Sequence, residues 1–249
     1  ASLPNMTSDL WDESTAAAYD ADHAAMATQE VITPTVDFLA QLAEAGPALE
    51  FAIGTGRIAI PLQERGLAVH GIELSQPMID VLRSKVDEHQ IPVVCGDMAT
   101  TRLEGEFALV YLVFNTISNL LTQAEQVECF RNAARHLKPG GRFVIELWIP
   151  PLRSMPPGQT AVPFDVSANH LGFDTYDVAT QQCSSHHYTT DPDGTIRYSV
   201  GHFRYAWPAE LDLMAQLAGM ELEARYADWN RTPFTSDSPG HISVYRLPA

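Results

Sequence analysis

Along the first 150 residues, five short and almost unbroken apolar runs alternate with segments whose apolar residues recur at helical spacing. The runs are 48–53, 67–74, 91–98, 107–115 and 142–148. Between them lie 57–65, "SQPMIDVLRSKVDEH" and 123–137. Strands that are apolar on both faces must be covered on both. Parallel strands joined through helices achieve this. The expected fold class is therefore α/β, a mostly parallel sheet with helices on both faces. The punctuation agrees: Gly46-Pro47, Gly66 and "KPGG" interrupt the pattern at element ends. Ser75 is placed to cap a helix in which Pro77 comes early, where a missing N–H costs little. Upstream, 15–45 carries helical spacing, and Pro34 is expected to part it into two helices.

After Trp148 the character changes. "IPPLRSMPPGQTAVP" reads as irregular, and two strand-like runs follow at 180–190 and 195–207, joined by the turn "DPDG". They suggest an antiparallel insertion after the fifth strand, laid over the main sheet. A last helix is expected at 208–219, and "MELEARYADW" with "HISVYRL" as a closing antiparallel pair. The expected organisation is a helical cap (1–46), a core (47–149 and 208–249) and a substrate roof (150–207).

Lys plus Arg number 15 against 31 Asp plus Glu, a formal charge of −16. That field repels phosphate backbones and anionic lipid heads, so neither a nucleic acid nor a membrane is an expected partner. Cys95, Cys129 and Cys183 lie far apart with no C-x-x-C, which predicts buried free thiols and no metal. There is no basic-then-apolar leader and no run of eighteen apolar residues, so a cytoplasmic location is expected. The opening "ASLPNMTSD" is polar and unpatterned, and is expected to fray.

The chemistry concentrates in "ALEFAIGTGRIAIPLQERGLAVHGIELS". A dinucleotide loop needs G-x-G-x-x-G, and a phosphate loop needs G-x-x-x-x-G-K-[ST]. Here Gly54 and Gly56 are followed by Arg57, Ile58 and Ala59, which satisfies neither. The loop is tight but not built for phosphate. Glu73 ends the second run, 23 residues after Glu50. A carboxylate there can accept from two vicinal ribose hydroxyls, a role that would also serve NAD.

Taken together, the loop from Glu50 to Gly56, Glu73, "GDM" at 96–98 and "HLKPGGRFVIE" resemble the class I S-adenosylmethionine-dependent methyltransferases. The resemblance runs from about Tyr19 to Trp148, and the C-terminal helix and strand pair extend it. It implies a Rossmann-like, seven-stranded sheet, S-adenosyl-L-methionine as cofactor, and methyl transfer by in-line displacement. Ala52 takes the place of the family's first glycine. Gly54 and Gly56 keep the positions where a side chain would most obstruct the cofactor. Asp97 is implied to take the adenine amino group and Met98 to lie against the ring. Glu50, Leu74 and Met78 complete the implied cofactor set. Phe114 and Asn115 fall where the family lines its transfer site. Each residue also has an ordinary reading: Asp97 as a helix cap, and Met78, Met98 and Phe114 as core.

"YDADHAAM" and the E-x-W-x-x-P of Glu146, Trp148 and Pro151 resemble, more narrowly, methyltransferases of small natural products, including those that N-methylate amino-sugar nucleotides. The resemblance implies that Tyr19 closes over the cofactor from an N-terminal helix. Where the sugar enzymes carry a histidine within the segment matching "NTISNL", this chain has Asn119. The N-P-P-Y of nucleic-acid amine methyltransferases is absent, "FNTIS" standing in its place. The expected acceptor is a small molecule methylated on N or O. A hydroxyl would need a base, for which His186, His202 and Tyr19 are candidates. Asn115, Asn119, Trp148, His186 and Tyr188 are expected to contact the acceptor. His186 and Tyr188 share a strand face that His187 does not. His170, His241 and Trp229 are weaker candidates. The alternatives are a catalytically silent protein that binds the same cofactor and an NAD-dependent oxidoreductase. A homodimer is left open.

Overall fold

The computed structural model describes residues 13–22 and 28–249. The opening nonapeptide and the His23 of "YDADHAAM" lie outside the described residues.

The five apolar runs form β1 (Ala48–Phe51), β2 (Val69–Glu73), β3 (Val93–Cys95), β4 (Phe107–Leu112) and β5 (Leu137–Trp148). The insertion contributes β6 (Ala161–Val166), β7 (His170–Asp177), β8 (Gln182–Thr190) and β9 (Ile196–Arg204). The chain closes with β10 (Glu221–Tyr226) and β11 (Gly240–Arg246). Seven strands make the main sheet in the order β10-β11-β5-β4-β1-β2-β3, and β6 to β9 make a four-stranded antiparallel sheet. Only β11 runs against the other six strands of the main sheet. Chain order reverses between β1 and β4, and a crevice opens at the carboxyl ends of strands flanking such a point.

At the central strands β1 and β4 both faces of the sheet are buried, as their apolar runs require, whereas the edge strands β3 and β10 are largely open. Leu49, Phe51, Val110, Leu112, Phe143 and Ile145 meet α5 (Gln123–His136) and α6 (Pro208–Leu217). Leu109, Tyr111 and Val144 meet α2 (Gln29–Ala43), α3 (Ala59–Glu64) and α4 (Gln76–Arg83). Phe130 sits edge-on to Phe143 at 5.1 Å and to Tyr245 at 5.5 Å, tying α5 to the sheet. Each such ring contributes roughly 1.5–3 kcal/mol by burial. The caps follow the sequence. Ser75 Oγ accepts the Met78 N–H at 3.3 Å, and Thr122 and Glu125 form a reciprocal capping box.

Several expectations are corrected. Pro34 lies inside α2 and does not divide it; α1 (Glu13–Asp22) ends well before it. The helix tolerates one missing hydrogen bond because Ile32, Val36, Phe38, Leu39 and Ala43 are buried along its face. Cys95 is exposed, since β3 is the edge of the sheet; Cys129 and Cys183 are buried. The stretch read as irregular ends in the first residues of β6, which begins at Ala161, and β7 follows. Pro163 is accommodated because β6 is an edge strand with a register shift after it. Among the described residues no helix is long and apolar enough to cross a membrane, and no group of three metal-ligating side chains occurs.

Candidate active site

The loop after β1 is a run of left-handed backbone, with φ of 52° at Ala52, 56° at Gly54 and 86° at Gly56. Ala52 thus adopts a conformation glycine would take freely, at a cost of roughly 1–2 kcal/mol. The two glycines are needed for different reasons. A Cβ on Gly54 would meet nothing nearer than the Ala52 carbonyl at 4.0 Å, so it would project into open space that the loop lines. A Cβ on Gly56 would stand 2.4 Å from Leu82 Cδ1 and 3.0 Å from Ile60 Cδ1. Gly56 is therefore required by packing against α4. This packing requirement is one that the sequence reading of Gly56 did not include.

Glu73 joins the two halves of the loop. Its Oε2 accepts the Gly54 N–H at 2.8 Å and its Oε1 accepts the Ser75 N–H at 2.9 Å. Burial raises its carboxyl pKa, and these N–H groups oppose the shift. Each oxygen keeps further lone-pair capacity, and Glu73 lines two adjoining cavities. A pair of vicinal hydroxyls fits that arrangement.

On one side of Glu73 a recess of about 70 Å³ is lined by Leu74, Gly96, Asp97, Met98 and Asn119. Asp97 Oδ1 accepts the Ala99 N–H at 2.7 Å, so this acid also holds its own turn. Met98 is buried, whereas Leu74 stands exposed at the rim. On the other side a recess of about 40 Å³ is lined by Glu50, Thr55, Arg57 and Val113. Glu50 accepts the Tyr111 O–H at 2.8 Å, and burial pushes its carboxyl up to about 8. The Arg57 guanidinium opposes that shift and lies 5.0 Å from the Phe114 ring centroid. An acid and a cation sharing one recess suit a zwitterion better than a diphosphate.

A cavity of about 360 Å³ joins these recesses to the insertion. Tyr19, Ala52, Gly54, Glu73 and Met78 bound one side. Phe114, Asn115, Thr116, Ser118, Asn119 and Trp148 form the floor, and Asp174, Cys183, Ser185 and Phe203 the roof. Phe114 and Asn115 are both left-handed, at φ 58° and 61°. The Phe114 N–H donates to Glu146 Oε2 at 2.7 Å, and Glu146 Oε1 accepts the Trp229 indole N–H at 3.0 Å. Asn115 Oδ1 accepts the Trp148 N–H at 2.7 Å. Strained backbone held from several sides is a mark of functional loops. Tyr19 is brought to the cavity by its neighbour. Asp20 accepts the Thr55 hydroxyl at 2.6 Å and pairs with Lys85 Nζ at 2.5 Å, fastening α1 over the loop. Burial raises the Tyr19 hydroxyl pKa.

The roof corrects another expectation. Asp174 pairs in register with Ser185, and Tyr176 with Cys183, so these four share one face. His186, Tyr188 and His202 fall on the other face, away from the cavity lining. The phase is set by Tyr176, Cys183 and Tyr205, which pack as a buried cluster against Trp148 and Trp207. Once those residues face inward, period-two alternation sends His186 and Tyr188 outward. There His186 stacks on Phe173 at 4.8 Å and meets the Tyr198 hydroxyl at 2.7 Å, and His202 Nδ1 lies 2.9 Å from Ser184 Oγ. Trp229 stands behind Glu146, outside the cavity. Arg57, Ser118, Asp174 and Ser185 line the site although sequence reasoning passed over them. Of these only Arg57, a cation directly after the glycines, gave a local signal.

Residues 48–141 match the model of a methyltransferase domain. The CcbJ methyltransferase of Streptomyces caelestis superposes with a TM-score of 0.78 and is 39% identical, over 87% of this chain and 89% of that one. The cypemycin N-terminal methyltransferase of a Streptomyces species is 26% identical over 92% of this chain and 94% of its own. CalS10, an amino pentose methyltransferase of Micromonospora echinaspora solved with S-adenosylmethionine bound, has the same fold: TM-score 0.70 at 20% identity, covering 92% of this chain and 96% of that one. The chain belongs to the class I S-adenosylmethionine-dependent methyltransferases. Its cofactor is S-adenosyl-L-methionine, and the NAD reading is set aside.

Proposed function

We propose that the enzyme methylates an amine nitrogen of a small, natural-product-like acceptor held between the 114–119 turn and the insertion. The observation that carries this reading is Asp174. Its carboxylate lines the cavity opposite the cofactor loop, and among the described lining residues there is no lysine, arginine or histidine. A low-dielectric cavity bearing carboxylates attracts a protonated amine and repels phosphate. The relatives lend support through what their own names say of them: one is a cypemycin N-terminal methyltransferase and another an amino pentose methyltransferase.

In this reading Glu73, Asp97, Met98, Leu74 and Met78 hold the nucleoside of the cofactor, while Ala52 and Gly54 leave it room. Glu50 and Arg57 take the ammonium and carboxylate of its amino-acid end. The cofactor supplies an already activated sulfonium methyl. The residues around it exclude water and aim the acceptor; such positioning is worth up to roughly 7–11 kcal/mol. Tyr19, on α1 of the helical cap, closes one side, the roof (150–207) the other. Asn115, Asn119 and Trp148 bound the acceptor from below.

The test is a matched panel of small amines and alcohols, incubated with S-adenosylmethionine and read by mass spectrometry for one added methyl. Turnover of amines and silence of the alcohols is the expected result. Turnover confined to alcohols or phenols would refute the nitrogen assignment. Binding of S-adenosylhomocysteine without turnover of any acceptor would favour a silent protein.

A further inference from the structure

Ser185 reaches the cavity from β8, and a row of hydrogen bonds leads away from it along the inner face of the insertion. Ser185 Oγ lies 3.3 Å from His187 Nε2, and His187 Nδ1 lies 3.0 Å from His170 Nε2. His170 Nδ1 lies 2.5 Å from Asp165 Oδ2. Asp165 is 42% exposed and His170 25%, so the row begins at the cavity and ends at solvent. The two imidazole planes are 27° apart with centroids 5.2 Å apart, edge to edge, and the Phe164 ring lies 5.3 Å from His187 and 6.4 Å from His170. Gly172, in register with His187, leaves room for this: a Cβ there would come within 2.2 Å of the Phe164 ring.

One arrangement of protons satisfies every member at once. Ser185 donates to His187 Nε2, the His187 Nδ1–H donates to His170 Nε2, and the His170 Nδ1–H donates to Asp165. A row with one polarity from end to end can pass a proton along its length. Methylation of an ammonium group releases one proton per turnover, because the nitrogen must free a lone pair before it attacks.

We propose that Ser185, His187, His170 and Asp165 form the exit path for that proton. The acceptor N–H bond breaks, and Ser185 Oγ gains the proton while passing its own to His187 Nε2. His187 Nδ1 then gives a proton to His170 Nε2, and His170 Nδ1 gives one to Asp165, from which it passes to water. The path rests on the reading that the acceptor nitrogen sheds a proton at transfer. The state of His187 suits the role. Burial lowers its pKa, against the pull of Asp174, so it waits neutral. Across from it β9 presents Ser199, which does not titrate.

Two measurements test the path. Nitrogen-15 spectra of histidine-labelled enzyme at pH 7, with no acceptor present, are expected to show His187 and His170 both neutral with the proton on Nδ1. An Nε2–H tautomer at His187, or a cationic His187, would reverse the polarity and overturn the proposal. The second measurement uses whichever amine of the panel is turned over. Ser185→Ala and His187→Phe are expected to lose ~100-fold or more in kcat at pH 7, the lower end of the range for proton-transfer catalysis. Their affinity for S-adenosylhomocysteine should be unchanged. Added imidazole should restore part of the His187→Phe loss, and rising pH should close the gap. A loss that is the same at every pH and indifferent to imidazole, or no loss, overturns the path. If no amine is methylated the nitrogen reading fails, and the tautomers still decide whether the row has the polarity claimed.

Discussion

Glu146 accepts the backbone N–H of Phe114 at 2.7 Å, across 32 residues of chain, and so holds the turn on which the cavity floor rests. Its second oxygen is engaged by Trp229, 83 residues further on. The pair of left-handed residues at 114 and 115 is strained in isolation and persists because Glu146 and the Asn115–Trp148 contact fix it from both sides.

Replacing that carboxylate by a methyl group strands two N–H donors. Glu146→Ala should destabilise the protein by about 1–3 kcal/mol in urea unfolding. Glu146 does not line the cofactor recesses, so affinity for S-adenosylhomocysteine should change less than kcat. An equal loss in both would place Glu146 in cofactor binding.

The proposed function gives Asp97 the adenine amino group. Losing a hydrogen bond to a buried group costs about 1–3 kcal/mol, so Asp97→Ala should weaken S-adenosylhomocysteine binding by roughly ten- to hundred-fold in calorimetry. An unchanged affinity would leave Asp97 as no more than the cap of its turn, where it already serves the Ala99 N–H.

Glu50 links the site to pH. Its folded pKa, about 8, lies above the ordinary 4.5, so the folded chain holds this proton more tightly than the unfolded chain does. The sign follows: this group's stabilisation is present at low pH and is lost as pH rises from about 4.5 to 8. An ammonium arriving beside Glu50 favours its ionised form. At pH 7, S-adenosylhomocysteine binding should therefore expel protons, visible as a binding enthalpy that varies with the buffer's ionisation enthalpy. Glu50→Gln should remove that variation; if it persists unaltered, the proton comes from elsewhere.

The two loop glycines should fail differently. Gly54→Ala adds a methyl to the cavity wall and a left-handed penalty of roughly 1–2 kcal/mol. It should fold and lose cofactor affinity. Gly56→Ala drives its methyl into Leu82 and Ile60, so its loss should appear chiefly as a lower melting temperature. The reverse pattern would interchange the roles given to them.

Local signals carried much of the fold. The apolar runs announced a sheet buried on both faces, and Ser75 and Gly66 marked element ends as they stand. β6 was hidden by Pro163, which only an edge position with a register shift accommodates, and edge status is not a local property. Pro34 misled for the opposite reason: burial of one helix face outweighed one lost hydrogen bond. At the site, Glu73 and Gly54 were legible because a strand end and a tight loop leave short-range marks. Asp174, Ser118 and Ser185 left none. Asp174 and Ser185 meet the loop only because a sheet far along the chain folds back over it, and Ser118 because the turn after β4 lies beside the loop after β1.

The residue order by itself determined the α/β class, the tight glycine loop and the acidic strand ends, since periodicity and glycine spacing act within a few residues. Tertiary structure alone decided which face of the insertion looks inward. Alternation makes His186 and Tyr188 companions, but it has no origin. That origin came from burying Tyr176, Cys183 and Tyr205 against Trp148, a choice made by packing between distant segments.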